Sequence, residues 1–424
     1  MQHPEFDPWT VDVREHAGPV DPIALLSNIP AHQAAMFWRH ADTWWVAQGS
    51  AWAHTPDTHD WEGARSACAR MARALAPEAR AHARLVGGFS FDPNAAQDTW
   101  RGFGPMTLWA PAQCVHHTPH ATHVTCVSTD ATPCAEVEPW LSAPRAARSA
   151  CGEVPAAKSP GAAQWGALVD RTARLLAQDA QWHKVVLARP LVVRALEPWS
   201  VDDVVERLCQ TYPTCRVFAL RPPGATAWFV GATPECLVRA QARLAYVDAL
   251  AGTAAPEVDD EVFLSSKKDR REHQLVIDAI EEGLKGLGTV HVPERPSVDR
   301  LPNVSHLRTP IRATLERGDL LDAAERLHPT PAVCGLPRER ARGFIRECEG
   351  LERGWYTGGI GWVDALGDGE WDVALRCALL EGAQATIYAG AGIVSASTGE
   401  AELEETRLKA QAMLNALGVA QGAL

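Results

Sequence analysis

Tyr388-Ala-Gly-Ala-Gly-Ile-Val394, followed by Ser395 to Lys409 with the acids Glu402, Glu404 and Glu405, is the stretch from which the rest of the chain can be read. It reads as a strand, a glycine turn and a helix, an order that brings backbone N–H groups and carboxylates toward one point. The helix can be phased. Leu403, Ala410, Leu414 and Leu417 fall on one stripe, and Glu402, Glu405 and Lys409 fall on another about 100° away. One stripe packs; the other faces something polar. Two carboxylates one turn apart repel each other unless a cation or a proton lies between them, and oxygen-only donors suit Mg²⁺. A solvated face with a Glu405–Lys409 salt bridge is the competing reading of the same helix.

The chain has 424 residues, enough to bury a large core, and length alone would allow two or three domains. Its net charge of −12 argues against a nucleic-acid surface or an anionic membrane partner, both of which need basic patches. An anionic substrate would have to be met by local positive groups. The 11 cysteines are odd in number, form no CxxC pair and sit among apolar neighbours, as at Cys209, Cys236 and Cys377. They read as reduced, buried thiols. Met1-Gln-His-Pro-Glu-Phe carries no basic and apolar leader, and no apolar run reaches membrane-spanning length, so a soluble cytoplasmic protein is expected.

Residues 1–142 are rich in Trp, His and Ala, with strand-like runs at Trp44-Trp45-Val46-Ala47 and Leu85-Val86. Gly87-Gly-Phe-Ser-Phe-Asp-Pro93 reads as a strand closed by a turn. His116, His117, His120 and His123 invite a zinc reading, but Pro119 interrupts any helix and the following residues read as strand, so a solvent-side loop is expected. Residues 143–163 shift to Ala, Pro, Ser and Arg without periodicity and read as a linker-like surface segment.

From 164 to 424 strand and helix signals alternate. Trp165 to Ala177 and Val201 to Cys209 read as helices, and Lys184 to Arg189, Val217 to Leu220 and Ala227 to Gly231 as strands. Asp259 to Leu287 forms the longest helical pattern. There Glu272 lies in register with Val276, Ala279 and Ile280, so it is either a functional acid or the partner of a basic residue. Lys184 opens a β-branched strand, where a lysine is either an edge gatekeeper or, if desolvated, a general base. Glu235 follows Pro234 at a strand–turn boundary, where its side chain is held.

These residues carry a resemblance. Lys184-Val-Val-Leu-Ala-Arg189, Thr233-Pro-Glu-Cys-Leu237, Leu250-Ala-Gly-Thr253, Asp269-Arg-Arg-Glu-His273, Val304-Ser-His-Leu307, Leu327-His-Pro-Thr-Pro-Ala332, Leu375-Arg-Cys377 and Ala389-Gly-Ala-Gly-Ile-Val394 with Glu402-Leu-Glu-Glu-Thr406 stand in the order found in chorismate-utilising enzymes. The block from about Gln164 to the end resembles that family, which includes isochorismate, salicylate, anthranilate and aminodeoxychorismate synthases. The resemblance implies one large α/β (α+β) domain of packed, mainly antiparallel sheets with helices outside, the N-terminal region included.

It also implies roles. Glu272 and Glu405 would bind Mg²⁺, with Glu402 close by, and the ion would grip the ring carboxylate of chorismate. Gly390 and Gly392 would offer N–H groups, Arg376 and Tyr356 would hold the enolpyruvyl carboxylate, and His306, Lys409, Gly252, Thr253 and Ala332 would complete the pocket. Lys184 would take a proton from water attacking C2, and Glu235 would protonate the departing C4 hydroxyl, which requires a neutral lysine and a protonated glutamic acid at neutral pH.

Three positions select the branch of the family. Lys184 stands where anthranilate synthases resemble one another in carrying Gln, which points to water as nucleophile and to no amidotransferase subunit. Ala251 stands where aminodeoxychorismate synthases carry a covalently attacking lysine. Ala332 replaces the threonine of the pyruvate-eliminating members. The implied reaction stops at isochorismate, the precursor of a quinone or a siderophore. Its rivals are salicylate formation and chorismate binding without turnover.

Overall fold

Alternation along the strands sets the layers. In Thr43–Gln48, Trp44 and Val46 join one apolar cluster while Trp45 and Ala47 join another, as the period of two requires. Ala35–His40 and Arg216–Arg221 divide the same way, with Phe37, Val217 and Ala219 on one side and Met36, Trp38, Phe218 and Leu220 on the other. The first cluster is closed by Val204 and Leu208 of the helix Val201–Thr211 and by Met413 and Leu414 of Gly399–Ala416. The second is an aromatic layer shared with Val86, Trp109 and Ile360 of an opposing sheet. That sheet's far face, through Leu85, Leu237 and Ile311, packs on the helices Trp61–Ala74, Lys267–Leu284 and Leu320–Leu327. The order is helices, sheet, sheet, helices.

The computed structural model describes residues 9–95, 98–129, 136–146, 161–255, 257–300 and 305–419. One sheet has 11 strands in the order Thr10–Glu15, Thr122–Ser128, Gln113–His117, Thr43–Gln48, Ala35–His40, Arg216–Arg221, Trp228–Thr233, Cys377–Glu381, Gln384–Ile393, Lys184–Arg194, Gly335–Leu336. The other has 10, nine of them running from Gly288–His291 through Ser305–Leu315, Leu244–Ala254, Cys236–Gln241, Gly369–Val373, Gly359–Asp364, Arg84–Phe89 and Met106–Ala110 to Trp52–His54, with Ser297–Arg300 paired beside Ser305–Leu315. Neighbouring strands pair antiparallel throughout.

The N-terminal region is woven into both sheets. Trp38 pairs with Phe218 in one, and Gly87 with Gly361 in the other. The expected single domain is what the chain forms. Of the linker-like segment 143–163, residues 147–160 lie outside the described residues; on its near side Arg145 is ion-paired with Asp202, Asp203 and Glu206.

Two local expectations need correction. The pattern from Asp259 to Leu287 is not one helix but two, Asp260–Ser265 and Lys267–Leu284, broken at Ser266. The Ser266 hydroxyl accepts from Asp269 N–H, so a new N-cap competes with helix continuation. The histidine segment is a hairpin rather than a loop. His116 pairs with His123 across the strands Gln113–His117 and Thr122–Ser128, and only the connection around His120 is a turn. Among the described residues every cysteine is free and all but Cys348 are buried, and no helix is long and apolar enough to cross a membrane.

Candidate active site

The site is built where one strand ends early. Cys377–Glu381 runs beside Gln384–Ile393 only as far as the pair Cys377↔Tyr388, because Arg376 adopts the left-handed conformation (φ 48°) and turns the chain away. Beyond Tyr388 this side of the strand is open. On its other side Gly390 pairs with Ala188 and Gly392 with Val186. Val186 N–H donates instead to Cys334 O, and Ala188 N–H to Glu349 Oε2. Both pairs are therefore of the non-hydrogen-bonded kind, and the N–H groups of Gly390 and Gly392 face the open side.

The glycines were expected in a turn, and this is corrected: both lie within the strand, neither in the left-handed region. Their lack of a side chain serves close approach. A Cβ on Gly390 would meet the Tyr356 hydroxyl at 2.9 Å, and one on Gly392 would meet Lys184 Cε at 2.5 Å. The helix after the strand has the phase expected. Ala410, Leu414 and Leu417 are buried, while Lys409 Nζ reaches Glu405 Oε1 at 2.6 Å and Gly390 O at 3.0 Å. The Glu405–Lys409 salt bridge of the competing reading exists, and it sits at this open edge.

Around the edge, charges of both signs converge. Lys184 Nζ pairs with Glu272 Oε1 at 3.0 Å, so Glu272 is the partner of a basic residue as well as part of the site. Lys184 is no edge gatekeeper, since Gly335–Leu336 pairs with it from outside. Glu235 lies half-buried in the turn between Trp228–Thr233 and Cys236–Gln241. Loss of water pushes its carboxyl up to about 7, against the pull of Lys184, Arg376, Lys409 and the Thr330 hydroxyl beside it.

Burial also raises Glu402; the Ser397 hydroxyl opposes the rise and Glu405 adds to it. Lys409 is lowered by burial and by Arg376, with Glu405 acting the other way. His306 is lowered by burial while its Nδ1 contacts Gly252 O at 3.0 Å, with Lys409 and Arg376 as charged neighbours. Burial lowers Arg376 as well; its neighbours include Tyr356, Cys215 and Glu405. Tyr356 is buried and stacked on Tyr388 with ring centroids 5.2 Å apart.

Contacts and electrostatic neighbours thus join Lys184, Glu235, Glu272, His306, Tyr356, Arg376, Gly390, Gly392, Glu402, Glu405 and Lys409 in one region. Gly252 belongs to it through its carbonyl and occupies a bulge at φ 73°. Ala332 stands in the turn between Thr330, which neighbours Glu235, and Val333. Thr253 is placed by its backbone in the strand Leu244–Ala254. Val304 of the expected Val304-Ser-His-Leu307 motif lies outside the described residues.

Sequence reasoning passed over Thr330, Ser397, Glu349 and Arg353. The spacing of four between Glu349 and Arg353 was the one available signal for that pair.

Glu272, Glu402 and Glu405 fit Mg²⁺ in donor chemistry, being oxygen-only. They fit it in charge too, because Glu405 adds to the raised pKa of buried Glu402, a strain that a cation relieves. In this structure Glu272 and Glu405 are held by Lys184 and Lys409. Among the described residues the three donor atoms that approach one another within 4.8 Å are instead those of Cys236, Glu370 and Asp372, a set already neutralised by Arg216.

Comparison with known proteins agrees with this geometry. The chain is 37% identical over 372 residues to a salicylate biosynthesis isochorismate synthase of Pseudomonas aeruginosa, covering 80% of this chain and 75% of that protein. It is 34% identical over 364 residues to the isochorismate synthase MenF of Bacillus subtilis, covering 79% and 74%. The solved structure of the menaquinone-specific isochorismate synthase MenF from Escherichia coli superposes with a TM-score of 0.83 at 25% identity, covering 98% of this chain and 96% of that one. Residues 5–418 match the family described as chorismate binding enzyme, and the chain belongs to that family.

Proposed function

We propose that the protein is an Mg²⁺-dependent isochorismate synthase. The observation that carries this reading is the convergence of one desolvated carboxyl group, Glu235, with Lys184, Arg376 and Lys409 at the open edge of the glycine strand. Chorismate is a dianion, and Arg376 and Lys409 supply the local positive charge that a protein of net charge −12 otherwise lacks. Arg376 and Tyr356 hold the enolpyruvyl carboxylate, and the Gly390 and Gly392 N–H groups face the ring carboxylate. Glu272, Glu402 and Glu405 would hold Mg²⁺, which supplies charge to neutralise that carboxylate.

Water adds at C2 as Lys184 accepts its proton, the ring double bonds shift, and the C4 hydroxyl leaves as water with the proton of Glu235. Hydroxide is too poor a leaving group to depart without that acid. Net, one water enters and one leaves. Water as nucleophile makes an amidotransferase subunit unnecessary. The free, buried cysteines suit a reducing compartment such as the cytoplasm.

One assay tests the reading. Purified protein is incubated with chorismate, with Mg²⁺ or with excess chelator, the products are separated, and pyruvate is followed by a coupled dehydrogenase. Isochorismate should accumulate to an equilibrium mixture with little pyruvate, only in the Mg²⁺ arm. Stoichiometric pyruvate with salicylate would move the protein to the pyruvate-eliminating branch. Full turnover after exhaustive chelation would overturn the metal assignment.

A further inference from the structure

The strand that begins with Lys184 has an incomplete outer edge. Gly335–Leu336 pairs with Val185 and Lys184, Cys334 O takes the Val186 N–H, and beyond it Val186 O and Ala188 N–H are left to other partners. Two side chains take the place of the missing strand. Glu349, at the end of the helix Arg338–Cys348, accepts Ala188 N–H on Oε2 at 2.8 Å. Arg353 donates through Nη2 to Val186 O at 2.8 Å.

Arg353 does more than close the edge. Its Nε and Nη2 grip Glu349 at 2.7 and 2.6 Å, and its Nη1 donates to Val333 O at 3.0 Å and to the Thr357 hydroxyl at 3.3 Å. The five contacts match the five N–H groups of a guanidinium. Both side chains of the pair are buried, at 3% exposure for Arg353 and 0% for Glu349. The guanidinium lies over Phe91 at 4.3 Å from the ring centroid. Three residues on, Tyr356 N–H donates to Arg353 O, which fixes the ring whose hydroxyl reaches Gly390.

One planar group therefore ties together three parts of the site that are distant in sequence. They are the strand two residues beyond Lys184, the turn that carries Ala332, and the segment that carries Tyr356. We infer that Arg353, held by Glu349, is a positioning residue that, beside the Cys334–Val186 backbone bond, fixes the strand of Lys184 against the Ala332–Val333 turn at the substrate pocket. This rests on the reading of the site as that of an isochorismate synthase. Arg353 touches no reacting atom; it acts through the Val186 and Val333 carbonyls. Displacement of a reacting group by about 1 Å can cost roughly 10²-fold in rate, so loss of this tether is expected in kcat. Arg376 is anchored beside the strand Cys377–Glu381, and Tyr356 is held by the backbone carbonyl of residue 353, which substitution leaves in place, so KM is expected to change little.

Two variants test it. Arg353→Lys keeps the charge beside Glu349 but presents three donors at one point and cannot span the Val186 and Val333 carbonyls. The double variant Glu349→Leu with Arg353→Met removes both charges together and leaves neither buried alone, so it folds even where the lysine variant does not. Each folded variant, assayed well below its Tm, should lose about 10²-fold in kcat for chorismate with KM within about threefold of the parent. A purely structural pair would lower Tm and leave kcat of the folded protein intact, and kcat within threefold of the parent in either folded variant overturns the inference. A crystal structure of the double variant gives a second readout that is independent of the reaction. There the Lys184–Glu272 contact, 3.0 Å in the parent, should be broken, and its retention overturns the inference even if the parent proves inactive on chorismate. Inactivity of the parent itself would count against the assigned function alone.

Discussion

Glu235 shows what a single residue owes to its surroundings. Its neighbours in sequence, Pro234 and Cys236, say only that it is held at the end of a strand. Its carboxyl is pushed up to about 7 by burial, an effect that Lys184, Arg376 and Lys409 restrain without cancelling. An acid that must donate a proton is active in its protonated form, present below about pH 7 and lost above it. The expected profile of kcat/KM therefore falls about tenfold per pH unit above this value, as read from initial rates between pH 5.5 and 9. Glu235→Gln should remove that limb and lower kcat by roughly 10²-fold or more. A rate that keeps rising to pH 9 would show that this carboxyl is not the acid. Lys184 has as its partner Glu272, 88 residues distant, a carboxylate that no local pattern joins to it.

At the scale of elements, Gln384–Ile393 and Gly399–Ala416 were legible as strand and helix because alternation and a 3.6-residue period are written in adjacent residues. The purpose of the glycines was not. Gly390 and Gly392 carry the same letter as turn glycines, and only the approach of Tyr356 and Lys184 shows that they are there to leave room. A methyl group at Gly392 would sit 2.5 Å from Lys184 Cε and 3.2 Å from its Nζ, both at the far end of a flexible side chain. The lysine gives way rather than the strand. Gly392→Ala should therefore lower kcat by about tenfold or more, while Tm holds or rises slightly because the unfolded chain loses freedom. Thermal melts and steady-state kinetics on the same preparation check this, and an unchanged kcat would mean that the placement of Lys184 is not demanding. The long helix failed as a single element for a reason of the same kind, since Ser266 has the composition of a helix residue and the geometry of a cap.

The whole molecule is held by strands that the N-terminal and C-terminal regions exchange. Residues 9–146 supply five strands of one sheet and three of the other, and their rings cover Phe218, Phe229, Trp355 and Tyr388. A ring of this size hides roughly 150–250 Å², worth about 5 kcal/mol at 25 cal/mol per Å². Exposing even half of four rings costs on the order of 10 kcal/mol, comparable with the whole ~5–15 kcal/mol stability of a typical domain. A fragment starting at residue 161 should therefore fail to fold despite containing every proposed site residue. Circular dichroism of the purified fragment checks this, and a cooperative melt with chorismate turnover would refute it. The family, and through that resemblance the antiparallel sheets with outer helices, was legible in the sequence, because eight short motifs stand there in the family's order. The tertiary structure alone decided how far burial raises Glu235, that Lys184 pairs with Glu272, and where a strand stops to leave an open edge. Desolvation and charge pairing depend on groups brought together from positions far apart in the chain, and neither leaves a mark in the residues on either side.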